Sequence, residues 1–183
     1  MHLFLIRHTS VLVPPGTTYG FTDVPLRPTF EEEAARTRAR LAGLQFDQVY
    51  CSPLSRCRRL AAACGYANPI LDDRLKELNF GEWEMKTWEE VSADPRSERW
   101  FADWIHTPAP GGESLQDQYN RLANFLDELR RKPYQQVAIF AHGGILTCAR
   151  VYAGEYGLEE AFKHVTEYGG VIEIALEEGN VLR

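Results

Sequence analysis

The sequence lacks the features that mark membrane, secreted and nucleic-acid-binding proteins. No apolar stretch approaches the roughly 20 residues that a bilayer-spanning helix needs. The N-terminus has no basic region followed by an apolar run and a cleavage site, so no secretion signal is predicted. The 20 Lys and Arg are outnumbered by 26 Asp and Glu, and the formal charge of −6 leaves no overall basic field for nucleic acid or acidic lipid. We therefore expect a cytoplasmic protein that binds neither nucleic acid nor membrane.

Cysteine is scarce and widely spaced. The four residues, Cys51, Cys57, Cys64 and Cys148, form no C-x-x-C motif, and most have apolar neighbours, as reduced and buried thiols do. Nothing in the sequence is typical of a metal-ligand cluster, so we expect no disulfide, no metal and no cofactor. Internal repeats and low-complexity segments are also absent. A chain of 183 residues that is 44% apolar has the size of one globular domain with a full core.

Apolar strands alternate with helical segments, which favours an α/β fold with three layers, α/β/α, around a mainly parallel sheet. Strands are predicted at 3–6, 48–51, 70–71, 137–141 and 171–176, with a last strand at 181–182 after a hairpin turn at 178–180. Helices are predicted at 29–44, 54–64, 114–131 and 144–152. We expect residues 1–183 to form a single domain, in which residues about 79–113 form a small helical cap insertion carrying all four tryptophans.

Polar residues and a glycine predict where some helices begin and end. Thr29 is a plausible N-cap of the first helix, whose first turn is acidic, as the helix dipole favours. Ser114 and Asp117 have the spacing of a capping box, although Asp replaces the usual Glu or Gln. Gly65 is suited to end the helix at 54–64, because glycine tolerates positive φ.

Two histidines follow two of the predicted strands. Arg7 and His8 come directly after the first strand, and His142 comes after the strand at 137–141. In an open parallel sheet the carboxyl ends of the strands form the ligand crevice, and a neutral imidazole beside a fixed cation is suited to attack on an anion. Alone, such a histidine more often caps a strand or satisfies a core carbonyl. Together, the two histidines indicate a catalytic site at the carboxyl edge of the sheet.

A guanidinium and a glycine turn would add anion-binding groups at this edge. Arg56 follows the second strand in the sequence S-P-L-S-R, where its planar fork could bind two phosphate oxygens from the first turn of a helix. Gly143, directly after His142, would let backbone amides approach an anion closely. The residues that follow these three strands are therefore predicted to form one anion-binding site. The alternative is that Arg56 lies on a solvated face with Arg58 and Arg59.

Three carboxylates, Glu77, Glu82 and Glu84, stand at the start of the predicted cap. A carboxylic acid near bound phosphate would be kept protonated by the neighbouring negative charge, as a proton donor to a leaving oxygen must be. Any of the three could instead end a helix or form a salt bridge. That is the expectation for Glu82 and Glu84.

These motifs together resemble those of the histidine phosphatase superfamily, which has the phosphoglycerate-mutase-like fold. The resemblance runs in order through R-H at 7–8, G-F-T-D-V-P-L at 20–26, S-P-L-S-R at 52–56, L-K-E-L-N-F-G at 75–81, P-G-G-E-S at 110–114 and A-H-G-G at 141–144. It implies that His8 is phosphorylated during turnover and that Glu77 is the proton donor. It also implies that Arg7, Arg56 and His142 bind the phosphoryl oxygens. The substrate would be a small-molecule phosphate monoester, and no metal would be needed.

The end of the first strand, the loop at 11–28 that follows it (the first loop) and the segment at 77–84 are also similar to α-ribazole phosphatases, which act in cobalamin nucleotide-loop assembly. This narrower resemblance lies in R-H-T-S-V, Y-G-F-T-D-V-P-L and E-L-N-F-G-E-W-E. It implies hydrolysis of α-ribazole 5′-phosphate to α-ribazole. Candidate specificity residues are Thr9, Ser10, Tyr19, Gly20, Phe21 and Thr22. The asparagine with which many superfamily members bind phosphate is absent, and Thr17 or Thr18 is a candidate replacement.

Other functions stay open at this point. A broad-specificity small-molecule phosphatase is one alternative, and a phosphoglycerate mutase is a second, although the short chain and the missing asparagine count against it. A non-catalytic phosphate sensor is the third, but a mere binder has no need of the proton donor Glu77. Oligomeric state is not predicted.

Aromatic residues of the cap and first loop are candidates for substrate recognition. We expect some of them to form a wall that receives the flat base of the substrate, because a base gains about 1 to 3 kcal/mol by stacking on an aromatic face. The alternative for each tryptophan is a place in the core of the cap. The candidates are Trp83, Trp88, Trp100, Trp104, Tyr19 and Phe21.

Overall fold

A computed structural model of the chain describes residues 1–176, and five strands form its central sheet. In chain order these are β1 (His2–Arg7), β2 (Gln48–Cys51), β3 (Ile70–Leu71), β4 (Gln136–Ala141) and β5 (Val171–Ala175). Their order across the sheet is β3-β2-β4-β1-β5, with β5 antiparallel to β1 and the other pairs parallel. The predicted mainly parallel sheet is confirmed. The predicted turn at 178–180 and strand at 181–182 lie outside the described residues.

Within that described part, six α-helices connect and cover the strands. They are α1 (Phe30–Arg40), α2 (Ser55–Ala63), α3 (Trp88–Ala93), α4 (Ser97–Ala102), α5 (Leu115–Leu129) and α6 (Gly143–Tyr152). Short 3-10 turns lie at Asp73–Leu75, Gly81–Trp83 and Leu158–Lys163. Helix α1 ends four residues before the predicted boundary, because the chain turns at 41–43 and Gly43 takes a φ of 82°. The C-terminal signal at Gly65 is confirmed by its φ of 100°.

The two predicted helix starts have different outcomes. Ser114 and Asp117 form a complete capping box at α5, in which each side chain accepts a hydrogen bond from the other residue's backbone N–H. Thr29 occupies the N-cap position of α1, but its hydroxyl donates to Glu33 instead of accepting from the backbone. The first turn of α1 therefore depends on its acidic residues and not on a side-chain cap.

Alternate residues of β1 pack into two apolar cores on opposite faces of the sheet. Leu3 and Leu5 pack with side chains of α5 and α6. Phe4 and Ile6 pack with side chains of α1 and α2. Because successive strand residues point to opposite faces, this pattern gives the predicted three layers, α/β/α. The carboxyl ends of β1, β2 and β4 are left open at one edge.

The tryptophan-rich segment builds a third, smaller core. Trp83 and Trp100 are buried there with Val91 and Ala109, and the two indole rings meet edge to face at 5.9 Å between centroids. Trp88 is different, because 39% of its surface is exposed. None of the described helices combines the length and apolarity needed to cross a membrane.

Candidate active site

The register of the sheet brings the two strand-terminal histidines together. Arg7 of β1 pairs with Ala141 of β4, so the next residues, His8 and His142, leave adjacent parallel strands at the same level. Their rings meet edge to face with 5.2 Å between centroids, and both are buried. The sequence predicted that the two histidines share one edge, and the geometry brings them into contact.

His8 is held as a neutral imidazole with one nitrogen free. Its Nδ1 lies 2.7 Å from the carbonyl oxygen of Thr9, which can only accept, so Nδ1 carries the proton. Burial, and then the neighbouring guanidinium of Arg56, lower the pKa of His8 to about 3, with a further contribution from Arg7 and an opposing one from the Thr9 hydrogen bond. The lone pair of Nε2 is therefore available at neutral pH without loss of a proton.

Arg7 lies between an aromatic ring and a glycine. Its guanidinium carbon stacks 3.9 Å from the centre of the Tyr168 ring, and it donates a hydrogen bond to the carbonyl of Thr166. On the other side, a Cβ at Gly143 would lie 3.2 Å from the same guanidinium carbon. Only a residue without a side chain leaves comfortable room for this arginine over the start of α6.

Arg56 is buried at the same edge although β4 separates its strand from β1. Its side chain is fully buried, whereas Arg58 and Arg59 on the same helix are exposed, so the solvated-face alternative is wrong for Arg56. The guanidinium donates to the carbonyl oxygens of Gly20 at 2.6 Å and Thr22 at 2.9 Å. The first loop thereby fixes the arginine beside His8.

Arg7 and Arg56 each have a buried N–H group that is available to a ligand. Within residues 1–176, Nε of Arg7 and Nε of Arg56 have no hydrogen-bond partner and are shielded from solvent. Buried donors without partners are uncommon and indicate a ligand at a functional site. Two such N–H groups beside a neutral imidazole are suited to an anion.

His142 is packed beneath this site. Its Nε2 lies 2.7 Å from the Ser52 hydroxyl and 3.4 Å from the Cys57 thiol. Burial, and then the charge of Arg56, hold its pKa well below the usual value for histidine. His142 is therefore neutral here, and its Nε2 atom is hydrogen-bonded to Ser52.

Glu77 lies over the N-terminus of α6. One carboxylate oxygen accepts from the Gly144 N–H at 3.1 Å, and the other accepts from the Leu78 N–H at 2.9 Å and from the Gln118 amide at 2.8 Å. A Cβ at Gly144 would overlap this carboxylate. Because Gly143 faces Arg7 and Gly144 faces Glu77, a group bound by the arginine lies next to the acid.

A partly buried ion pair fixes the segment that carries Glu77. Arg121 donates to the carbonyl oxygens of Arg74, Lys76 and Glu77 at 2.7 to 2.8 Å, and it pairs with Glu113 at 2.8 Å. The P-G-G-E-S motif thus supplies the carboxylate that holds Arg121. Sequence analysis missed Arg121, because the three carbonyl oxygens that it binds lie more than 40 residues away.

Glu84 binds the first loop, which is not the role expected for it. Its carboxylate accepts from the backbone N–H groups of Gly20, Phe21 and Thr22, and from the Thr22 hydroxyl at 2.6 Å. A fifth hydrogen bond comes from the Phe80 N–H. Glu82 does form the predicted salt bridge, with Arg96 at 2.9 Å. Glu84 does stand at the end of the 3-10 turn at Gly81–Trp83, as predicted, but its side chain holds a loop that lies more than 60 residues earlier in the chain.

A cavity of about 220 Å³ opens above Arg7, Glu77 and the Gly143–Gly144 turn. Aromatic side chains line it, and they are Tyr19, Phe80, Trp88 and Phe162. Trp88 and Tyr19 were among the candidates for an aromatic wall. Trp83 and Trp100 instead form the core of the cap, and Trp104 packs against Phe162 with 4.6 Å between ring centroids. Phe21 is absent from the lining, and Phe80 and Phe162 were missed.

The six candidate specificity residues fall into different environments. Tyr19 is the one that lines the cavity, while Ser10 is tied to Glu33 through its N–H and hydroxyl. Thr9 is fully buried behind His8. Gly20 and Thr22 hold Arg56 and Glu84 through their backbone, and Phe21 lies 5.3 Å from the Lys76 ammonium.

Two tyrosines cover His8. The Tyr168 ring lies 5.6 Å from the His8 ring, and its hydroxyl is 2.7 Å from that of Tyr19. His8 is only 1% exposed, so this cover shields its ring from solvent. Tyr168 carried no sequence signal, because it stands 160 residues after His8 in a turn.

The two threonines proposed in place of the missing asparagine also differ. The Thr18 hydroxyl points to the carbonyl oxygens of Trp83 and Lys86, so its proton is used within the protein. Thr17 and Thr18 both line the cavity. Because the Thr18 hydroxyl proton is already bonded within the protein, Thr17 is the better candidate to meet a ligand.

Comparison with known proteins agrees with this geometry. The family model for the histidine phosphatase superfamily (branch 1) matches residues 3–182. The chain is 28% identical to putative phosphoserine phosphatase 2 of Hydrogenobacter thermophilus, over 96% of this chain and 89% of that protein. It is 29% identical to the adenosylcobalamin/alpha-ribazole phosphatase of Escherichia coli K12, over 80% of this chain and 76% of that protein.

A solved structure shows the same fold. The alpha-ribazole phosphatase from Shigella flexneri superimposes with a TM-score of 0.89 at 25% identity, covering 97% of this chain and 92% of that one. The sheet, the histidine pair and the family model point to one conclusion. The chain is a phosphatase and belongs to the histidine phosphatase superfamily.

Proposed function

We propose that this phosphatase forms a phosphohistidine at His8 and hydrolyses α-ribazole 5′-phosphate to α-ribazole. The observation that carries the proposal is the pairing of a neutral, buried His8 with Arg7 and Arg56, where Arg7 also lines a cavity that has aromatic walls. The buried His8 and its two arginines support the phosphohistidine mechanism, and the aromatic cavity supports the substrate. The same proposal assigns the enzyme to cobalamin nucleotide-loop assembly in the cytoplasm, and treats residues 1–183 as one domain with a cap at about 79–113.

The first half-reaction transfers the phosphoryl group to His8. The Nε2 lone pair attacks phosphorus, a P–N bond forms, and the P–O bond to the leaving group breaks. Arg7 and Arg56 bind the phosphoryl oxygens through their free Nε–H groups, helped by His142 and the Gly143 backbone at the α6 N-terminus. The hydrogen bond from Nδ1 to Thr9 keeps the ring oriented throughout.

Glu77 moves the protons in both halves. It donates one to the departing alkoxide and then, as a carboxylate, takes one from the water that attacks the phosphohistidine. The P–N bond breaks, the electron pair returns to Nε2 of His8, and inorganic phosphate leaves. Glu77 keeps room for a proton on the oxygen that accepts only from Gly144.

The lining of the cavity favours a flat, uncharged leaving group. Among the described lining residues, Arg7 is the one cation, and it is committed to the phosphoryl group. Phosphoserine and 3-phosphoglycerate each carry a carboxylate that would find no second cation among these lining residues. The relative named as an alpha-ribazole phosphatase therefore suits this cavity better than the one named as a phosphoserine phosphatase.

Turnover of four esters side by side tests the substrate. We expect kcat/KM for α-ribazole 5′-phosphate to exceed that for phosphoserine and 3-phosphoglycerate by about tenfold or more, since a stacked base is worth about 1 to 3 kcal/mol. An aryl phosphate such as p-nitrophenyl phosphate serves as the reference. Equal or higher kcat/KM for either carboxylate-bearing ester would overturn the substrate assignment while leaving the phosphohistidine mechanism intact.

A further inference from the structure

A glutamine that contacts the proposed base has an unused oxygen in the active site. Gln118 lies on the buried face of α5, is fully buried and lines the cavity together with Arg7 and Glu77. Its Nε2 donates to a Glu77 oxygen at 2.8 Å. Because a carboxylate oxygen cannot donate, this contact fixes which end of the amide is nitrogen.

The other end of the same amide is an acceptor without a donor. In residues 1–176, the Gln118 Oε1 atom meets no hydrogen-bond donor, although it is shielded from solvent. A buried acceptor in this state costs free energy unless a ligand or water supplies the donor. The amide lies over the first turn of α6, since a Cβ at Gly144 would be 2.9 Å from it. That turn is also where Glu77 and Arg7 meet.

We propose that Gln118 is a catalytic residue of the second half-reaction, which orients the hydrolytic water between its Oε1 and the Glu77 carboxylate. A water that attacks phosphorus has two protons, and its lone pair points at phosphorus only when both protons are held by acceptors on the other side. Glu77 accepts the proton that is transferred, and Gln118 accepts the one that stays on oxygen. The inference rests on the phosphohistidine mechanism proposed above.

Atoms and charges balance in this step. The water oxygen forms the new P–O bond while the P–N bond to His8 breaks and its electron pair returns to Nε2. One proton passes to Glu77, and the other stays on the product phosphate, which leaves Gln118 unchanged. The amide Nε2–H contact keeps Glu77 facing the water and not the bulk solvent.

Rapid-quench single turnovers with radiolabelled p-nitrophenyl phosphate separate the two half-reactions. The p-nitrophenolate leaving group needs no proton, so label reaches His8 without help from Glu77 or Gln118. In Gln118→Met, which keeps the length but removes donor and acceptor, we expect label to arrive on the protein at the normal rate, within about twofold. Its release as inorganic phosphate should slow by about tenfold or more.

Gln116→Met is the matched control. Gln116 stands two residues earlier on α5, and its side chain contacts Asn120 and not the cavity. We expect both rates to be normal in this variant. Thermal melting of the two variants identifies any general loss of structure, which would slow both half-reactions together.

Gln118→Glu tests the contact with Glu77, while the separation of the two half-reactions in Gln118→Met tests the catalytic role. This variant keeps an acceptor oxygen but puts a second negative charge beside Glu77 and so raises the pKa of the base. Because Glu77 must be ionised to accept the proton, the acidic limb of the pH–rate profile for phosphohistidine breakdown should move to higher pH. An unmoved limb would contradict the contact on which the inference depends.

Three further results would overturn the inference, and they are distinguishable. Equal slowing of both half-reactions in Gln118→Met would make the residue structural. A raised KM for α-ribazole 5′-phosphate with normal phosphohistidine breakdown would make it a contact for the leaving group. Absence of labelled His8 in the unaltered enzyme would reject the phosphohistidine mechanism, and this inference with it.

Discussion

Replacing Glu84 by glutamine tests whether the first loop is held in place by a single carboxylate. Glu84 accepts five hydrogen bonds, three at one oxygen and two at the other. Glutamine has one oxygen in place of two, and its NH2 group must face donors at the other position. At least two backbone N–H groups then lose their acceptor, whichever way the amide turns.

The expected cost follows from these lost acceptors. A buried donor left without an acceptor costs about 1 to 3 kcal/mol, and Glu84 is only partly buried, so we expect Glu84→Gln to lower the free energy of unfolding by about 2 to 4 kcal/mol. Activity should also fall, because the loop supplies the carbonyl oxygens of Gly20 and Thr22 that hold Arg56. A misplaced phosphate-binding arginine is expected to lower kcat/KM by about 10- to 100-fold.

Urea unfolding and turnover of p-nitrophenyl phosphate measure the two effects. Glu82→Gln is the matched control, since Glu82 is exposed and pairs only with Arg96 at the surface, where a salt bridge is worth about 0 to 1 kcal/mol. If the free energy of unfolding of Glu84→Gln lies within about 0.5 kcal/mol of that of the unaltered protein, the loop is held by other contacts. If it is destabilised but retains full kcat/KM, the link from Glu84 to Arg56 is refuted.

The pH dependence of this difference has a definite sign. Desolvation raises the pKa of Glu84, but the Thr22 hydroxyl and the backbone N–H groups outweigh it, and the net pKa lies below the usual value of 4.5. A carboxyl with a lowered pKa in the folded state stabilises the fold above its unfolded pKa and loses that contribution as pH falls through the folded value. The difference in free energy of unfolding between Glu84→Gln and the unaltered protein should be largest near pH 7 and should shrink below about pH 4.

Three further predictions follow from the site. Glu77→Gln should slow hydrolysis of alkyl phosphates far more than that of aryl phosphates, whose leaving oxygen needs little protonation; equal losses on both esters would place the acid elsewhere. Trp88→Leu should lower kcat/KM for α-ribazole 5′-phosphate by about tenfold more than for a phosphate without a ring, whereas Trp100→Leu should mainly lower the melting temperature, and a reversed pattern would reject the aromatic wall. Turnover should survive EDTA, because Arg7 and Arg56 supply the positive charge; loss of activity restored by a divalent cation would overturn this assignment.

The parts of the site that sequence reasoning predicts are those carried by strand ends. Arg7 is the last residue of β1, His8 and His142 follow directly on β1 and β4, and in a parallel sheet the carboxyl ends of strands share one edge. Arg56 belongs to the same class, although β4 lies between its strand and β1. The arginine reaches His8 because the first loop, and not a neighbouring strand, supplies its acceptors.

The parts that were missed depend on contacts between distant segments. Arg121, Tyr168 and the true partners of Glu84 come from pairings across 40 to 160 residues, for which local periodicity has no signal. Gln118 is an exception, since it falls on the apolar face of α5 between Leu115 and Leu122. A polar residue on a buried stripe is a signal that could have singled it out.

The central claim is that His8 carries the phosphoryl group, and peptide mapping by mass spectrometry after a rapid quench tests it most directly. The enzyme is mixed with substrate, quenched under conditions that preserve phosphohistidine, and digested. We expect phosphate on the peptide that contains His8, and no turnover in His8→Ala, because the proposed nucleophile is Nε2 of His8, which the Nδ1 hydrogen bond to Thr9 leaves with a free lone pair. Phosphate on Ser10, Ser52 or Cys51, or near-normal turnover in His8→Ala, would contradict the account.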